Sequence, residues 1–132
     1  MHSVIVCAVP VDLGFIIDAS GSIGSVNFQK ILQFVAKIVD AFDIRPNGTH
    51  VGVIYYSDDA VLAFDFNKFK GDDLNRENVV NEINKIVVTE GQTRIDLALK
   101  KAKEELFTEK GGMRPDKPKV RGRNIFLVVR VH

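Results

Sequence analysis

The feature that most constrains the fold is an apolar strand that runs into a small-residue turn and then an amphipathic helix. Residues Val11–Ile17 are mostly apolar and end at Asp18, a pattern typical of a central strand buried on both faces. The helix carries its large apolar residues at spacings of three and four, which predicts one buried face. These residues are Phe28, Ile31, Leu32, Val35, Ile38, Val39 and Phe42. Ser25 or Asn27 could cap this helix.

Strands and helices continue to alternate along the chain. Residues Val51–Tyr56 and Ala60–Phe66 predict two strands, and the short turn between them predicts an antiparallel hairpin. Asn75 can cap a second helix, and a third helix follows Gly91–Thr93. The predicted inward positions are Val79, Ile83, Ile86 and Val87 in the second helix and Ile95, Ala98, Leu99, Ala102 and Leu106 in the third.

This alternation predicts an α/β fold: a doubly wound, mostly parallel, Rossmann-like sheet with an antiparallel edge strand and helices on both faces. Residues Asn124–Val129 predict the last strand. We interpret the basic, Gly- and Pro-containing stretch Thr108–Arg123 as a solvated loop, because it lacks the interleaved aromatic residues of a nucleic-acid site. Binding sites in such sheets form beyond the carboxyl ends of the strands.

Composition excludes several classes of protein. A length of 132 residues suits one domain, and a formal net charge of +1 gives no overall field to attract nucleic acid. No run approaches the roughly 18 to 20 apolar residues of a transmembrane helix. The apolar start Met1–Val11 has no basic residue before it, so we interpret it as a fragment start rather than a secretory signal. Cys7 is either a small buried residue or the partner of a cysteine beyond the chain.

A set of oxygen ligands follows the first strand. Asp18, Ser20 and Ser22 alternate along an extended turn, so their side chains can share one face, and Thr93 lies in a second loop at the same edge. Oxygen-only ligands suit Mg²⁺ or Mn²⁺. A thiolate or imidazole site is excluded because Cys7, His2, His50 and His132 form no cluster. The spacing is equally typical of a tight turn closed by local hydrogen bonds.

Electrostatics favour a cation that bridges to a partner. The amino end of a helix carries partial positive charge, so a cation beside it needs compensating carboxylates. Asp18 supplies one negative group. A carboxylate of an incoming ligand would serve as the second.

Several segments resemble von Willebrand factor type A domains. Residues 11–24 closely resemble the opening of these domains, and Asp18-Ala19-Ser20-Gly21-Ser22 resembles the Asp-x-Ser-x-Ser motif of their metal-ion-dependent adhesion site. Residues 51–58 resemble the second strand of the family, and Gly91-Gln92-Thr93 resembles the loop that contributes a threonine. The resemblance runs from about residue 7 to residue 129, nearly the whole chain.

The resemblance implies both a site and a function. It implies that Asp18, Ser20, Ser22 and Thr93 bind Mg²⁺ or Mn²⁺, and that an acidic side chain of a protein ligand completes the coordination. It also implies an extracellular adhesion module, secreted or in the matrix, whose partner is a matrix or cell-surface protein, including collagen-like proteins. We expect neither catalysis nor membrane insertion.

The chain also departs from the family pattern. In the family a Thr-Asp-Gly follows the strand resembling 125–129, and Val131 stands where its aspartate, the fifth site residue, is expected. The two further strands and their helices are missing, and Cys7 resembles a family cysteine that pairs near the far end of the domain. We therefore expect residues 1–132 to form a single partial domain with weak or absent metal binding at physiological Mg²⁺. We also expect the exposed edge 124–129 to make it marginally stable or prone to aggregation.

Two alternatives and one modification remain open. A metal-independent interaction domain is the main rival, because the second carboxylate is missing. A phosphohydrolase-like enzyme is disfavoured, because Ser20 replaces the acid–base aspartate of the Asp-x-Asp-x-Thr motif. Asn47-Gly48-Thr49 is a candidate N-glycosylation site if the chain is secreted.

Overall fold

The computed structural model describes residues 10–89, 91–114 and 123–129. The strands are β1 (Val11–Asp18), β2 (His50–Tyr56), β3 (Ala60–Phe64) and β4 (Arg123–Val129). The helices are α1 (Ser25–Asp40), α2 (Arg76–Ile83) and α3 (Ile95–Lys101). Two 3₁₀ turns cover Gly21–Ile23 and Gly71–Asp73, and a π-helical turn, Ala102–Leu106, continues α3.

The described strands form one mixed sheet in the order β3-β2-β1-β4. β1 pairs in parallel with both β2 and β4, while β2 and β3 form an antiparallel hairpin. The register places Asp18 beside Tyr56, so β1 and β2 end at the same edge. The hairpin, the parallel centre and the antiparallel edge strand confirm the predicted topology.

Two apolar cores cover the two faces of the sheet. Alternate side chains of β1 point to opposite faces: Leu13, Phe15 and Ile17 belong to the first core, and Ile16 belongs to the second. Residues of α1 and α2 complete the first core, and residues of α3 and its π-helical turn complete the second. The helix layers on both faces confirm the doubly wound α/β prediction and explain why β1 is buried along its whole length.

The second core depends on a close approach between the π-helical turn and the sheet. Gly14 and Gly52 are neighbours in the register of β1 and β2. A Cβ atom at Gly14 would lie 2.6 Å from the ring of Phe107, and one at Gly52 would lie 2.5 Å from Leu106. Only glycine therefore leaves room for Leu106 and Phe107 against these two strands.

The predicted cap of α1 and the predicted end of β3 were wrong, whereas the predicted cap of α2 is confirmed. Neither Ser25 nor Asn27 caps α1, because Ser25 is already its first residue and the cap position is Gly24 without a side-chain hydrogen bond. Asn75 does cap α2, and its side chain accepts the backbone N–H of Asn78 at 2.9 Å. β3 ends at Phe64, two residues earlier than predicted.

Two predicted core residues are at the surface. Val87 is 68% exposed, because α2 ends at Ile83 and the helical period does not continue to residue 87. Leu99 is 41% exposed, while its neighbour Ala98 is fully buried and occupies the inward position of α3. Most other predicted inward residues are buried, including Phe28, Val35 and Val79 in the first core.

A buried ion pair fixes the start of β1, at the edge opposite Asp18. The Asp12 side chain is fully buried, and its two carboxylate oxygens accept the Nε and the backbone N–H of Arg114 at 2.8 and 2.7 Å. The Arg114 Nη2 also donates to the carbonyl of Val11 at 2.8 Å. The segment that follows α3 is thus tied to the first residues of the central strand.

Candidate metal site

The loop after β1 gathers three of the predicted oxygen ligands. Asp18 and Ser20 are buried, and Ser22 is exposed. The Asp18 Oδ1 accepts the backbone N–H of Ser20 at 2.9 Å, and the hydroxyl oxygens of Ser20 and Ser22 lie 3.4 Å apart. The local hydrogen bond of a tight turn is therefore present together with the convergence of side chains, and the two interpretations of the motif are compatible.

Thr93 completes the group from a different part of the chain. Its hydroxyl donates to the Ser20 hydroxyl at 3.4 Å, across 73 residues of sequence. Ser20 lies fully buried at the base, while Ser22 and Thr93 are exposed around it. The structure thus brings Asp18, Ser20, Ser22 and Thr93 together at the carboxyl edge of the sheet, open to solvent.

A threonine that the sequence analysis did not single out joins the two loops. The backbone N–H of Thr89 donates to the carbonyl of Ala19 at 2.8 Å, and the Thr89 hydroxyl donates to the hydroxyl of Ser57 at 2.7 Å. Ala19 in turn donates its N–H to the carbonyl of Tyr56 at 2.8 Å. The segment leading to Thr93 is therefore fastened to the ends of both β1 and β2.

The turn between β2 and β3 holds both flanks of Thr93. The backbone N–H of Gln92 donates to the Asp58 Oδ1 at 2.6 Å, and the backbone N–H of Arg94 donates to the carbonyl of Ser57 at 2.9 Å. Neither Ser57 nor Asp58 was predicted as a functional residue. The signal that could have found them is their position directly after β2, at the edge where sites of such sheets form.

The charged side chains next to Thr93 pair with each other. Arg94 donates from Nε and Nη2 to the two carboxylate oxygens of Asp96 at 2.9 and 2.8 Å. This hydrogen bonding lowers the pKa of Asp96 to about 2 and raises the pKa of Arg94. Both side chains are exposed, so the pair adds little stability. Through these two hydrogen bonds Asp96 fixes the position of the Arg94 guanidinium.

The donor set fits a hard divalent cation. Neighbouring ligands of an octahedral Mg²⁺ bound at about 2.1 Å lie about 3 Å apart, and the two hydroxyl–hydroxyl separations of 3.4 Å are only slightly longer. The Asp18 Oδ2 makes no hydrogen bond within the described residues, so it can bind a cation. Among those residues, no group of three or more His, Cys, Asp or Glu side chains could hold a metal ion. Any site here therefore relies on hydroxyl ligands.

The other residues singled out from the sequence lie either in the turn before β2 or outside the described part of the chain. Asn47 is exposed in the turn before β2, and Thr49 of the same sequon is fully buried. Cys7 and Val131 lie outside the described residues. In the described part of the chain, no helix combines the length and apolar character needed to cross a bilayer.

A family model independently matches the chain. The von Willebrand factor type A domain model matches residues 12–128, which include all four oxygen ligands. The chain belongs to the von Willebrand factor type A domain family. The predicted resemblance is thereby confirmed, and the family occurs in extracellular matrix and adhesion proteins.

Similar proteins show where such domains are found. Mouse vitrin is 33% identical over 114 residues, which cover 86% of this chain and 16% of vitrin. The transmembrane cell adhesion receptor mua-3 of Caenorhabditis elegans is 39% identical over 105 residues, which cover 79% of this chain and 3% of the receptor. The chain thus spans a small part of these relatives.

A solved structure with a similar fold contains a metal site. Proximal thread matrix protein 1 from the mussel byssus is 29% identical with a TM-score of 0.73, over 95% of this chain and 30% of that protein. In that structure the MIDAS motif, the metal-ion-dependent adhesion site, is occupied by zinc. A protein of similar fold therefore binds a divalent cation at such a motif.

Proposed function

We propose that this chain is an extracellular adhesion or matrix module that binds an acidic protein ligand through a divalent cation. Asp18, Ser20, Ser22 and Thr93 would hold the cation. The observation that carries the proposal is the convergence of three hydroxyls beside the Asp18 carboxylate, through two separations of 3.4 Å. Family membership of residues 12–128 supports it.

The charge of the site favours an acidic ligand. Among the proposed ligands only Asp18 carries a charge, and the site adjoins the amino end of α1, whose partial charge is positive. A divalent cation held there would keep an excess of positive charge. When bound, the cation would supply a direct electrostatic link to a carboxylate, which has hard oxygen atoms of the kind it prefers. A Glu or Asp side chain of a protein partner meets this requirement.

The chemistry of the ligands favours Mg²⁺ or Mn²⁺. Carboxylate and hydroxyl oxygens suit these ions better than ions that prefer nitrogen or sulfur. Zinc in the byssus protein shows that a MIDAS motif can accept it there, so Zn²⁺ is a necessary competitor in binding experiments. With a single carboxylate we expect weak affinity, which a ligand carboxylate would raise.

The partner is proposed from where the relatives occur. One is a cell adhesion receptor and another is a thread matrix protein. We propose an extracellular location and a matrix or cell-surface protein as partner, with collagen-like proteins among the candidates. The surface that meets the partner would include Ser22 and Thr93, because both are exposed beside the buried Ser20.

Solid-phase binding tests the proposal. The full chain is applied to immobilised matrix proteins, including fibrillar collagen, in Mg²⁺, in Mn²⁺ and after EDTA. We expect binding that requires the cation and is lost in Asp18→Ala. Asp72→Ala is the matched control, because it removes the same charge from an exposed turn at the opposite edge of the sheet. Binding that persists in EDTA and in Asp18→Ala would instead identify a metal-independent interaction domain.

A further inference from the structure

We infer that Asp58 is a positioning residue that fixes the Thr93 loop and thereby raises the affinity of the cation site. Asp58 would act without touching the cation. This inference rests on the proposed function and deepens it, because it assigns a role to the turn between β2 and β3. Asp58 lies outside the Asp18-x-Ser20-x-Ser22 motif, and its contact with the loop spans 34 residues of sequence.

The contact is short and charge-assisted. The Asp58 Oδ1 accepts the backbone N–H of Gln92 at 2.6 Å. A hydrogen bond to an ionised acceptor is shorter and stronger than one between neutral groups. Gln92 directly precedes Thr93, so this bond restricts the backbone that orients the Thr93 hydroxyl towards Ser20.

Gly91, the residue before Gln92, packs closely against the same carboxylate. Gly91 has a φ of 135°, in the region that favours glycine. A Cβ atom there would lie 2.4 Å from the Asp58 Cγ and 2.5 and 2.7 Å from its two oxygens. The loop backbone therefore passes directly over the Asp58 side chain, and the Gly91-Gln92 pair fits an acidic residue beneath it.

The neighbouring carboxylate, that of Asp59, makes no such contact with the Thr93 loop within the described residues. The Asp59 Oδ1 accepts the N–H of Ala60 at 2.8 Å, within its own turn. Both Asp58 and Asp59 are exposed and carry the same charge. Asp59 is therefore a matched control that separates the bond to the loop from the negative charge of the turn.

The expected effect follows from how outer residues act on metal sites. Removal of a group that orients a ligand typically weakens metal binding by about 10- to 100-fold. Asp58→Ala removes the acceptor for Gln92, whereas Asp58→Asn keeps a side-chain oxygen at the same place. We expect Asp58→Ala to weaken Mn²⁺ binding about tenfold and Asp58→Asn to weaken it less. Asp59→Ala should leave the affinity near that of the wild type.

Two readouts on the full chain test the inference. Amide hydrogen exchange of Gln92, followed by NMR without any metal, should accelerate about tenfold in Asp58→Ala, with protection largely kept in Asp58→Asn and Asp59→Ala. Mn²⁺ binding, measured by the relaxation rate of water protons, should weaken in the same order.

The possible results test different parts of the inference. Unchanged Gln92 exchange in Asp58→Ala overturns the inference, as does faster exchange with unchanged Mn²⁺ affinity. Equal loss of affinity in Asp58→Ala and Asp59→Ala also overturns it, because turn charge alone would then explain the effect. A wild-type chain that binds no cation would remove the proposed function and the claim about affinity. The exchange data would still decide whether Asp58 fixes the loop.

Discussion

The Thr93 hydroxyl donates to the Ser20 hydroxyl at 3.4 Å, although 73 residues separate the two in sequence. This relationship depends on the end of β1, the turn after β2 and the segment after α2, which are held to one another by backbone hydrogen bonds at Ala19, Ser57 and Thr89. Contacts within the chain itself therefore hold the oxygen ligands together. Preorganisation of this kind lowers the entropic cost of binding.

Ser20 is the central one of the three hydroxyl ligands, because the hydroxyls of both Ser22 and Thr93 contact it. We predict that Ser20→Ala weakens Mn²⁺ binding by about tenfold, equivalent to about 1.4 kcal/mol. The control is Ser25→Ala, because Ser25 is an exposed serine just beyond the loop, at the start of α1. Titration followed by water-proton relaxation measures both variants. Equal affinities in Ser20→Ala and the wild type would remove Ser20 from the site.

The buried pair Asp12–Arg114, at the edge of the sheet opposite Asp18, should contribute more to the free energy of unfolding than an exposed ion pair does. Arg114→Ala removes the side-chain donor and the positive charge that pair with the fully buried Asp12 carboxylate, although the backbone N–H of residue 114 remains. We predict a loss of about 3 kcal/mol in the free energy of unfolding. Lys85→Ala removes an exposed pair with Glu82 and should cost less than about 1 kcal/mol. Urea denaturation of the two variants tests this. Similar losses in both would show that the buried pair has no special role.

The sequence predicts this fold well where local periodicity decides the structure. The spacing from Phe28 to Val39 determines the buried face of α1, and the apolar run of β1 shows that it is covered on both sides. The prediction fails where a tertiary contact or a helix end decides. Val87 was predicted to be buried because its spacing fits α2, but the helix ends at Ile83.

For the site, too, local pattern predicts some residues and tertiary contacts determine the others. Asp18, Ser20 and Ser22 could be proposed from their alternation after a buried strand, and Thr93 from the loop that opens α3. Asp58 could not be assigned a role in this way, because its contact with Gln92 depends on the path of two distant loops. A local motif therefore identifies candidate ligands, whereas the residues that orient them become visible only in three dimensions.

His50 should make stability depend on pH. Burial is the main reason that the pKa of His50 lies below its ordinary value of 6.5, and the positive charge of Arg114 lowers it further against the opposing bond to the Pro46 carbonyl. Between the folded pKa and about 6.5 the unfolded chain binds the extra proton, so stability falls as the pH drops through this range. His50→Gln should reduce that slope. A stability difference between wild type and variant that does not change from about pH 7.5 to about pH 5 would contradict it.

Asn47 should be modified when the chain is secreted. Its side chain is exposed in a turn, so a glycan can project into solvent without disturbing either core. We predict that expression through a eukaryotic secretory pathway yields a product whose mass falls on treatment with N-glycosidase. Asn47→Gln should lack the heavier form. A secreted wild-type chain of unmodified mass would show that the sequon is not used.

Whether Asp18 and its three hydroxyl neighbours bind a divalent cation is tested most directly by the binding of Mn²⁺ to the wild type and to Asp18→Ala. Water-proton relaxation detects Mn²⁺ even at weak affinity, and competition with Mg²⁺ and Zn²⁺ shows which ion the site prefers. We predict one saturable Mn²⁺ site in the wild type and in Asp72→Ala, displaced by Mg²⁺ and absent in Asp18→Ala. No saturable binding in the wild type, or equal binding in Asp18→Ala, would contradict the account.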